Sequence, residues 1–485
     1  MKLKKLSVKN FLSYGNERQE IDFTRSQMQG DPKMVKNQIK QEIDYTHSNI
    51  TYIVGPNNSG KSNLIRILNF VAEVTLMDPQ SKAPPSFPYE MFLQQSKRNV
   101  EIVVDLEMSD KERQVIKDFI LCTFIRQIYG FNDPRTRIMK QILDKYKDGF
   151  FDIIGNDISI VIKSNINNHI RPIKHFVKLY LQNKQFYLFE NRINNIDSIF
   201  NIEPNFEIQH AIPFYDVLIS DYENRYLGGN HIPDNPENEL DASYILPNIA
   251  SLLESELSSK APFPGIINRV DMPVFVVSGY PTESEYTLLF EQTNTSLKNY
   301  GFKDNEHVSL STLIYAIFST SLIWVPDIHS KIPNYEEITI KNDISTTSKM
   351  PAKMDTEKLL NRLFNMSTSN KLSDYNRFKN VRSDFQEFTG MDFRFVIYDD
   401  IDKNVKVVAL EMMKGNSSWP ITFSSAGLIE ILTLLTSIAE SKDKILLLDE
   451  PAQNMHPSFQ NRFLNTLLKS LEKYGGQTII VTHSP

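Results

Sequence analysis

The chain has 485 residues, 41% of them hydrophobic and 23% charged, with a formal net charge of −6 at pH 7. This is enough apolar chain to fill two or three cores, while the acidic balance supplies no global basic field to draw in nucleic acid. A single cysteine, Cys122, excludes an intramolecular disulfide and a cysteine-built zinc cluster; no apolar stretch has membrane-span length and the opening Met1-Lys-Leu-Lys-Lys5 runs into a strand pattern instead of a signal-peptide core, so a cytoplasmic location is expected.

The apolar, β-branched run Ile50-Thr-Tyr-Ile-Val54 predicts a buried strand. It leads into Gly55-Pro56-Asn57-Asn58-Ser59-Gly60-Lys61-Ser62, two glycines with four residues between them followed by Lys-Ser, the pattern of a phosphate-binding loop. Apolar residues at 64, 65, 67, 68, 71 and 72 then predict a helix from Asn63 to Ala72 that packs on a sheet. Strand, glycine turn and helix in this order set the pattern apart from an ordinary Gly/Asn/Ser turn. Glycines at 55 and 60 let the backbone wrap an anion with its amides inward, and the helix N-terminus adds partial positive charge. In that geometry Lys61 reaches the β and γ phosphates and Ser62 gives a hydroxyl to Mg2+.

Val100-Glu-Ile-Val-Val-Asp105 predicts a return strand, and Ser109-Asp-Lys-Glu112 opens a helical section that runs to about residue 147, with Cys122 buried in it. Alternation over residues 175–190, with Asn183-Lys184 between the halves, predicts a hairpin; the polar residues 228–237 read as an exposed loop, and further helices run to about residue 321. No sustained heptad and no repeat occurs in this section. Leu322-Ile-Trp-Val-Pro326 predicts another strand. Between Lys341 and Arg382 nine Lys/Arg face four acids, which read either as a contact to phosphate backbones or as a solvated loop and helix face, the latter favoured; the helical spacing of Tyr375 and Phe378 puts both in core packing. Residues 393–398 and 405–410 predict a hairpin, and its turn is the simpler account of Asp399, Asp400 and Asp402 than a nuclease metal site.

Phe423-Ser-Ser-Ala-Gly427 is a small-residue turn before an apolar helix over 428–439. Ile445-Leu-Leu-Leu448 predicts a buried strand that delivers Asp449, suited to a metal, and Glu450, suited to a general base, to the carboxyl edge of a sheet. Gln477-Thr-Ile-Ile-Val481 predicts a further strand, followed by His483, an imidazole placed to sense a γ phosphate.

Taken in order, the phosphate loop, Ser425-Ala426-Gly427, Leu-Leu-Leu-Asp449-Glu450-Pro451 and Val481-Thr482-His483 resemble the ATP-binding cassette heads of the RecF, Rad50, SMC and OLD group, whose first strand is also similar to residues 3–11. Within it, the loop through Asn63, His456-Pro457 and Thr482-His-Ser-Pro485 are most similar to the OLD-type ATPases of overcoming-lysogenization nucleases and of anti-phage systems such as Septu, Gabija and PARIS. The resemblance implies an α/β fold: an ABC-type P-loop ATPase head, a mixed sheet flanked by helices, interrupted by a mixed α/β, largely helical insertion domain. The expected division is 1-108 for the first half of the head, 109-321 for a lateral interaction domain and 322-485 for the second half. ATP and Mg2+ are the expected cofactors. Ser62 and Asp449 hold the metal, with Gln95 (or its neighbour Gln94) as a further metal sensor unless the pair is merely surface; Glu450 and His483 are catalytic. Ser425 and Gly427 of one copy cover the γ phosphate held by another, so a homodimer through the heads, open to higher homo-oligomers, is expected.

The resemblance further implies a separate nuclease or toxin effector, DNA among the candidate partners, and no membrane. Three features depart from the group's pattern: Leu12 stands where Arg is common, Ser424-Ser-Ala-Gly-Leu428 replaces Leu-Ser-Gly-Gly-Gln, and Ala452 replaces the acid after Pro451. Three alternatives stay open: the ATPase portion of an OLD nuclease with a TOPRIM domain beyond Pro485, a RecF-like DNA-repair ATPase, and a slow nucleotide-gated scaffold.

Overall fold

The computed structural model describes residues 1–14, 17–24, 49–54, 60–76, 100–130, 154–164, 173–181, 184–189, 266–267, 275–276, 284–304, 306–308, 310–326, 336–337, 349, 352–353, 358–400, 405–451, 453–474 and 476–482. The chain forms two compact units, one of Met1–Leu3, Asp22–Glu73 and Phe318–Pro485, the other of Lys4–Ile21 and Val74–Ile317. The units part at other places than the expected 108 and 321.

The first unit is built on five parallel strands, in spatial order Ala352–Lys353, Leu322–Val325, Ile445–Asp449, Gln477–Thr482 and Ile50–Val54. Strands covered on both faces read as unbroken apolar runs, and Ile445–Asp449 and Gln477–Thr482 are buried in every residue but the last. The run at 50–54 predicts an equally buried strand, yet it is the outermost of the five, with Tyr52 45% and Val54 53% exposed. An apolar run reports a preference for extended chain; the number of neighbours is a tertiary matter.

Beside this sheet lies an antiparallel one. Asp392–Asp400 pairs residue for residue with Val405–Lys414, which also pairs with Ser417–Pro420 and Glu336–Glu337. Asp399 and Asp400 are ladder residues opposite Lys406 and Val405, and Asp399 forms an exposed ion pair of 3.2 Å with Lys406. Asp402 lies outside the described residues. Helices Leu359–Thr368 and Leu372–Thr389 cover the sheet with aromatic rings: Phe378 stacks on Phe395 at 5.8 Å, and Phe385 meets Phe393 edge-on at 5.6 Å.

In the second unit, Val100–Glu107, Ile154–Ser164, Ile173–Leu181 and Lys184–Phe189 form an antiparallel succession within a seven-stranded sheet. Val100–Glu107 pairs along its whole length with Ile154–Ser164, which is why residues before 108 group with the inserted section. The section is mixed α/β as expected, with helices Asp110–Gly130, Ser284–Asn299 and, as far as Ile317, Leu310–Ser321. Ser109-Asp-Lys-Glu112 is a reciprocal cap: Ser109 N–H donates to Glu112 Oε2 at 2.8 Å and Glu112 N–H donates to Ser109 Oγ at 3.4 Å. Cys122 is buried 3.2 Å from Thr293 Oγ1, and burial pushes its thiol up to about 12, so it is un-ionised and inert. Leu12 sits in a turn with φ 53°. The loop expected at 228–237 lies outside the described residues.

Candidate nucleotide site

In the parallel sheet, Asp449 is in register with Val481, and Thr482 with Val54. The carboxyl ends of three adjacent strands therefore lie side by side, where open α/β sheets take their ligands. From these ends the chain continues into the phosphate loop, into Glu450 and into His483. Gly55, Pro56, Asn57, Asn58, Ser59, Gln94, Gln95, Ala452 and His483 themselves lie outside the described residues.

The described end of the phosphate loop is a helix start. Gly60 has φ 84°, a left-handed conformation that glycine adopts without a Cβ clash, and its carbonyl accepts the Asn63 N–H at 3.1 Å. Helix Lys61–Leu76 begins there, earlier than the expected 63 and longer than the expected 72. Leu64, Ile65, Ile67, Leu68, Val71 and Ala72 are all fully buried, which fixes the rotation of the helix. Lys61 is 8% exposed. Ser62 Oγ donates to Asp449 Oδ1 at 2.8 Å, joining residues 387 apart in the chain.

That hydroxyl and carboxylate are hard oxygen donors of the kind Mg2+ takes. Among the described residues no group of three or more His, Cys, Asp or Glu side chains could hold a metal alone. A site of this composition suits Mg2+, which keeps waters and shares phosphate oxygens instead of filling an all-protein cage.

Glu450 follows directly, 7% exposed, with φ 49°. For a residue with a Cβ this conformation costs roughly 1–2 kcal/mol, and its backbone N–H donates to Val481 O at 2.8 Å, extending the strand ladder by one bond. The turn thus sharply redirects the chain at the second acid. Further on, His456-Pro457 is a helix start: Pro457 occupies the first position of Pro457–Tyr474, where its missing N–H is harmless.

The segment from Ser424 to Leu428, called the signature turn for its resemblance to Leu-Ser-Gly-Gly-Gln, is firmly held. Ser424 N–H donates to Ile421 O at 2.9 Å, Trp419 Nε1 donates to Ser424 Oγ at 3.2 Å, and Ile421 is buried. Ser425 is the N-cap of helix Ala426–Glu440, and its hydroxyl makes no capping bond to that helix. The helix begins two residues before the expected 428, because Ser-Ala-Gly, read as a turn, contains its first turn. Phe423 is 80% exposed beside Ser425. A Cβ on Gly427 would lie 2.6 Å from the backbone oxygen of Asn454, so only glycine fits that close approach.

Sequence reasoning missed Glu430. This residue is 1% exposed, and its Oε2 accepts the Asn454 N–H at 3.1 Å. The signal was a lone acid among Leu428, Ile429, Ile431, Leu432, Leu434 and Leu435.

Three arginines of the basic stretch form structural pairs. Arg362 bonds Glu440 at 3.0 Å, Arg377 bonds Asp374 at 3.3 Å, and Arg382 grips Asp392 with two bonds of 2.7 Å, which holds the Asp392 carboxyl below its usual range. Phe378 is in the core as expected. Tyr375 is not: it is 39% exposed, with Lys379 Nζ 4.7 Å from its ring centre.

A model of the AAA ATPase domain family matches residues 1–485 of this sequence. The chain belongs to the AAA ATPase domain family. An uncharacterised protein of Methanocaldococcus jannaschii is 21% identical to this AAA ATPase-domain chain over 572 residues; the match covers 100% of the chain but 66% of that relative's length. Among solved structures, the SmcHead bound to the C-winged helix domain of ScpA is 13% identical with a TM-score of 0.37, covering 100% of this chain and 90% of that one. The SMC head domain from Thermotoga maritima is 11% identical with a TM-score of 0.33, at the same coverages. Among the described residues of this family member, no helix is long and apolar enough to cross a membrane.

Proposed function

We propose that the protein binds and hydrolyses ATP with Mg2+ and that two copies close on the nucleotide as a switch. The observation that carries this reading is the 2.8 Å bond between Ser62 and Asp449, which unites the end of the phosphate loop with the first acid after a buried strand. Lys61 holds the β and γ phosphates, and Ser62 and Asp449 hold the metal. Bound there, Mg2+ neutralises charge on the phosphate oxygens. Glu450 takes a proton from the attacking water at its carboxylate, and His483 contacts the γ phosphate.

Two features support a role for a second copy. The Ser425 hydroxyl is not spent on its own helix, and Phe423 stands exposed on a held turn beside it. Ser425 and Gly427 of one copy then cover the γ phosphate bound by the other. ATP favours the closed pair by the contacts its γ phosphate makes only there, and hydrolysis removes them.

The motif string most similar to OLD-type ATPases supports placing this switch in a prokaryotic anti-phage complex, where it controls a nuclease or toxin effector. Residues 74–317 form the partner-binding part in this reading. Replacing Lys61 tests the site assignment: Lys61→Ala abolishes ATP binding, measured with a fluorescent ATP analogue, while the melting temperature without nucleotide stays near that of the unaltered protein. Undiminished binding by that variant contradicts the assignment.

A further inference from the structure

Asn454 is held from two sides by the first turns of the signature helix Ala426–Glu440. Its backbone N–H is bonded at 3.1 Å by Glu430 Oε2, and its backbone oxygen rests against Gly427 so closely that a methyl group there would sit at 2.6 Å. The next residue, Met455, is 5% exposed and belongs to the same core as Ile431, Leu434 and Leu435. Four residues before Asn454 is Glu450, with its left-handed backbone. A carboxylate removed from water is strongly unfavourable unless it is hydrogen-bonded. A leucine in place of Glu430 would continue the apolar run of the helix, so packing gives no reason for the acid; the loop amide it bonds does.

We infer that Glu430 is a positioning residue that fastens the loop behind Glu450 to the signature turn, so that these two parts of one copy move as a single piece. This rests on the ATPase reading above. In a pair of copies the signature turn faces the nucleotide of the partner, whereas Glu450 serves its own. The clamp is therefore a mechanical link between the two nucleotides: a turn seated on the partner's γ phosphate fixes the position of the base that activates water at its own.

The test compares full-length unaltered protein with Glu430→Gln, Glu430→Leu and Asn454→Pro, measuring kcat, KM for ATP and thermal melting, with Lys61→Ala as the zero. Glu430→Gln keeps an acceptor oxygen and stays within about threefold of the unaltered kcat. Glu430→Leu and Asn454→Pro, which remove acceptor and donor respectively, lower kcat by about 10- to 100-fold, as expected when a catalytic group is misplaced by an ångström or less. In both, KM changes by less than about threefold, since the phosphate loop is untouched. Asn454→Pro lies in an exposed loop and decides the matter where Glu430→Leu does not fold. Unchanged kcat in Asn454→Pro, or a kcat loss in Glu430→Gln as large as in Glu430→Leu, overturns the clamp. Hydrogen exchange at the Asn454 amide reads the clamp without ATP: protection is lost in Glu430→Leu, and protection retained there overturns it. Turnover that survives Lys61→Ala contradicts the ATPase reading instead, and the exchange measurement still decides the clamp.

Discussion

Glu450 and Gly427 show how single residues set this site. Glu450 adopts a conformation that side-chain-bearing residues avoid, at the boundary between a buried strand and the loop held by Glu430. Strain of this kind persists where the surroundings over-determine it, and here the Val481 carbonyl and the fastened Asn454 do so. At Gly427 the constraint is space. Gly427→Ala brings a methyl against a backbone oxygen that cannot rotate away, so the loop or the helix must shift. Thermal or denaturant unfolding should show a loss of about 1–3 kcal/mol, the usual range for overpacking; stability equal to that of the unaltered protein would mean that the loop gives way freely.

Helices and strands were legible in the sequence where one face or both are apolar. Ile445–Asp449 and Gln477–Thr482 read directly as buried strands, and the hairpin expected at 393–398 and 405–410 is present as Asp392–Asp400 with Val405–Lys414. The motifs pair Ser62 with Asp449 as metal ligands, and the structure puts their oxygens 2.8 Å apart. What escaped depends on tertiary pairing. The outer position of Ile50–Val54 is a matter of neighbours, and the grip of Glu430 on Asn454 joins a side chain to a backbone amide, which leaves no residue-type signature at the receiving end. Tyr375 was misplaced for a related reason. Helix Leu372–Thr389 buries Phe378, Val381, Phe385 and Phe388, and Tyr375 falls at the edge of that stripe, where a lysine covers it. The same stripe carries a prediction: Phe385, 0% exposed and edge-on to Phe393, truncated to Ala, should lower unfolding stability by about 3–5 kcal/mol. A loss below about 1 kcal/mol in denaturant unfolding would contradict this packing. On the solvent side of these helices, the pairs formed by Arg362, Arg377 and Arg382 favour the solvated-face reading of the basic stretch over a phosphate contact.

Over the whole molecule, the candidate nucleotide site is assembled from segments far apart in the chain, the end of the phosphate-loop motif from the first part and the acids from the last, because the parallel sheet takes strands from both. Residues 74–317, between them in the sequence, belong to the other compact unit. The central claim is that ATP closes two copies on a site that Glu450 then discharges, so Glu450→Gln should bind ATP and fail to release it. Native mass measurement of Glu450→Gln with ATP and Mg2+ tests this most directly: the account predicts a dimer carrying two ATP molecules, lost on adding Lys61→Ala, whereas a monomer that binds ATP, or a dimer indifferent to nucleotide, would contradict it.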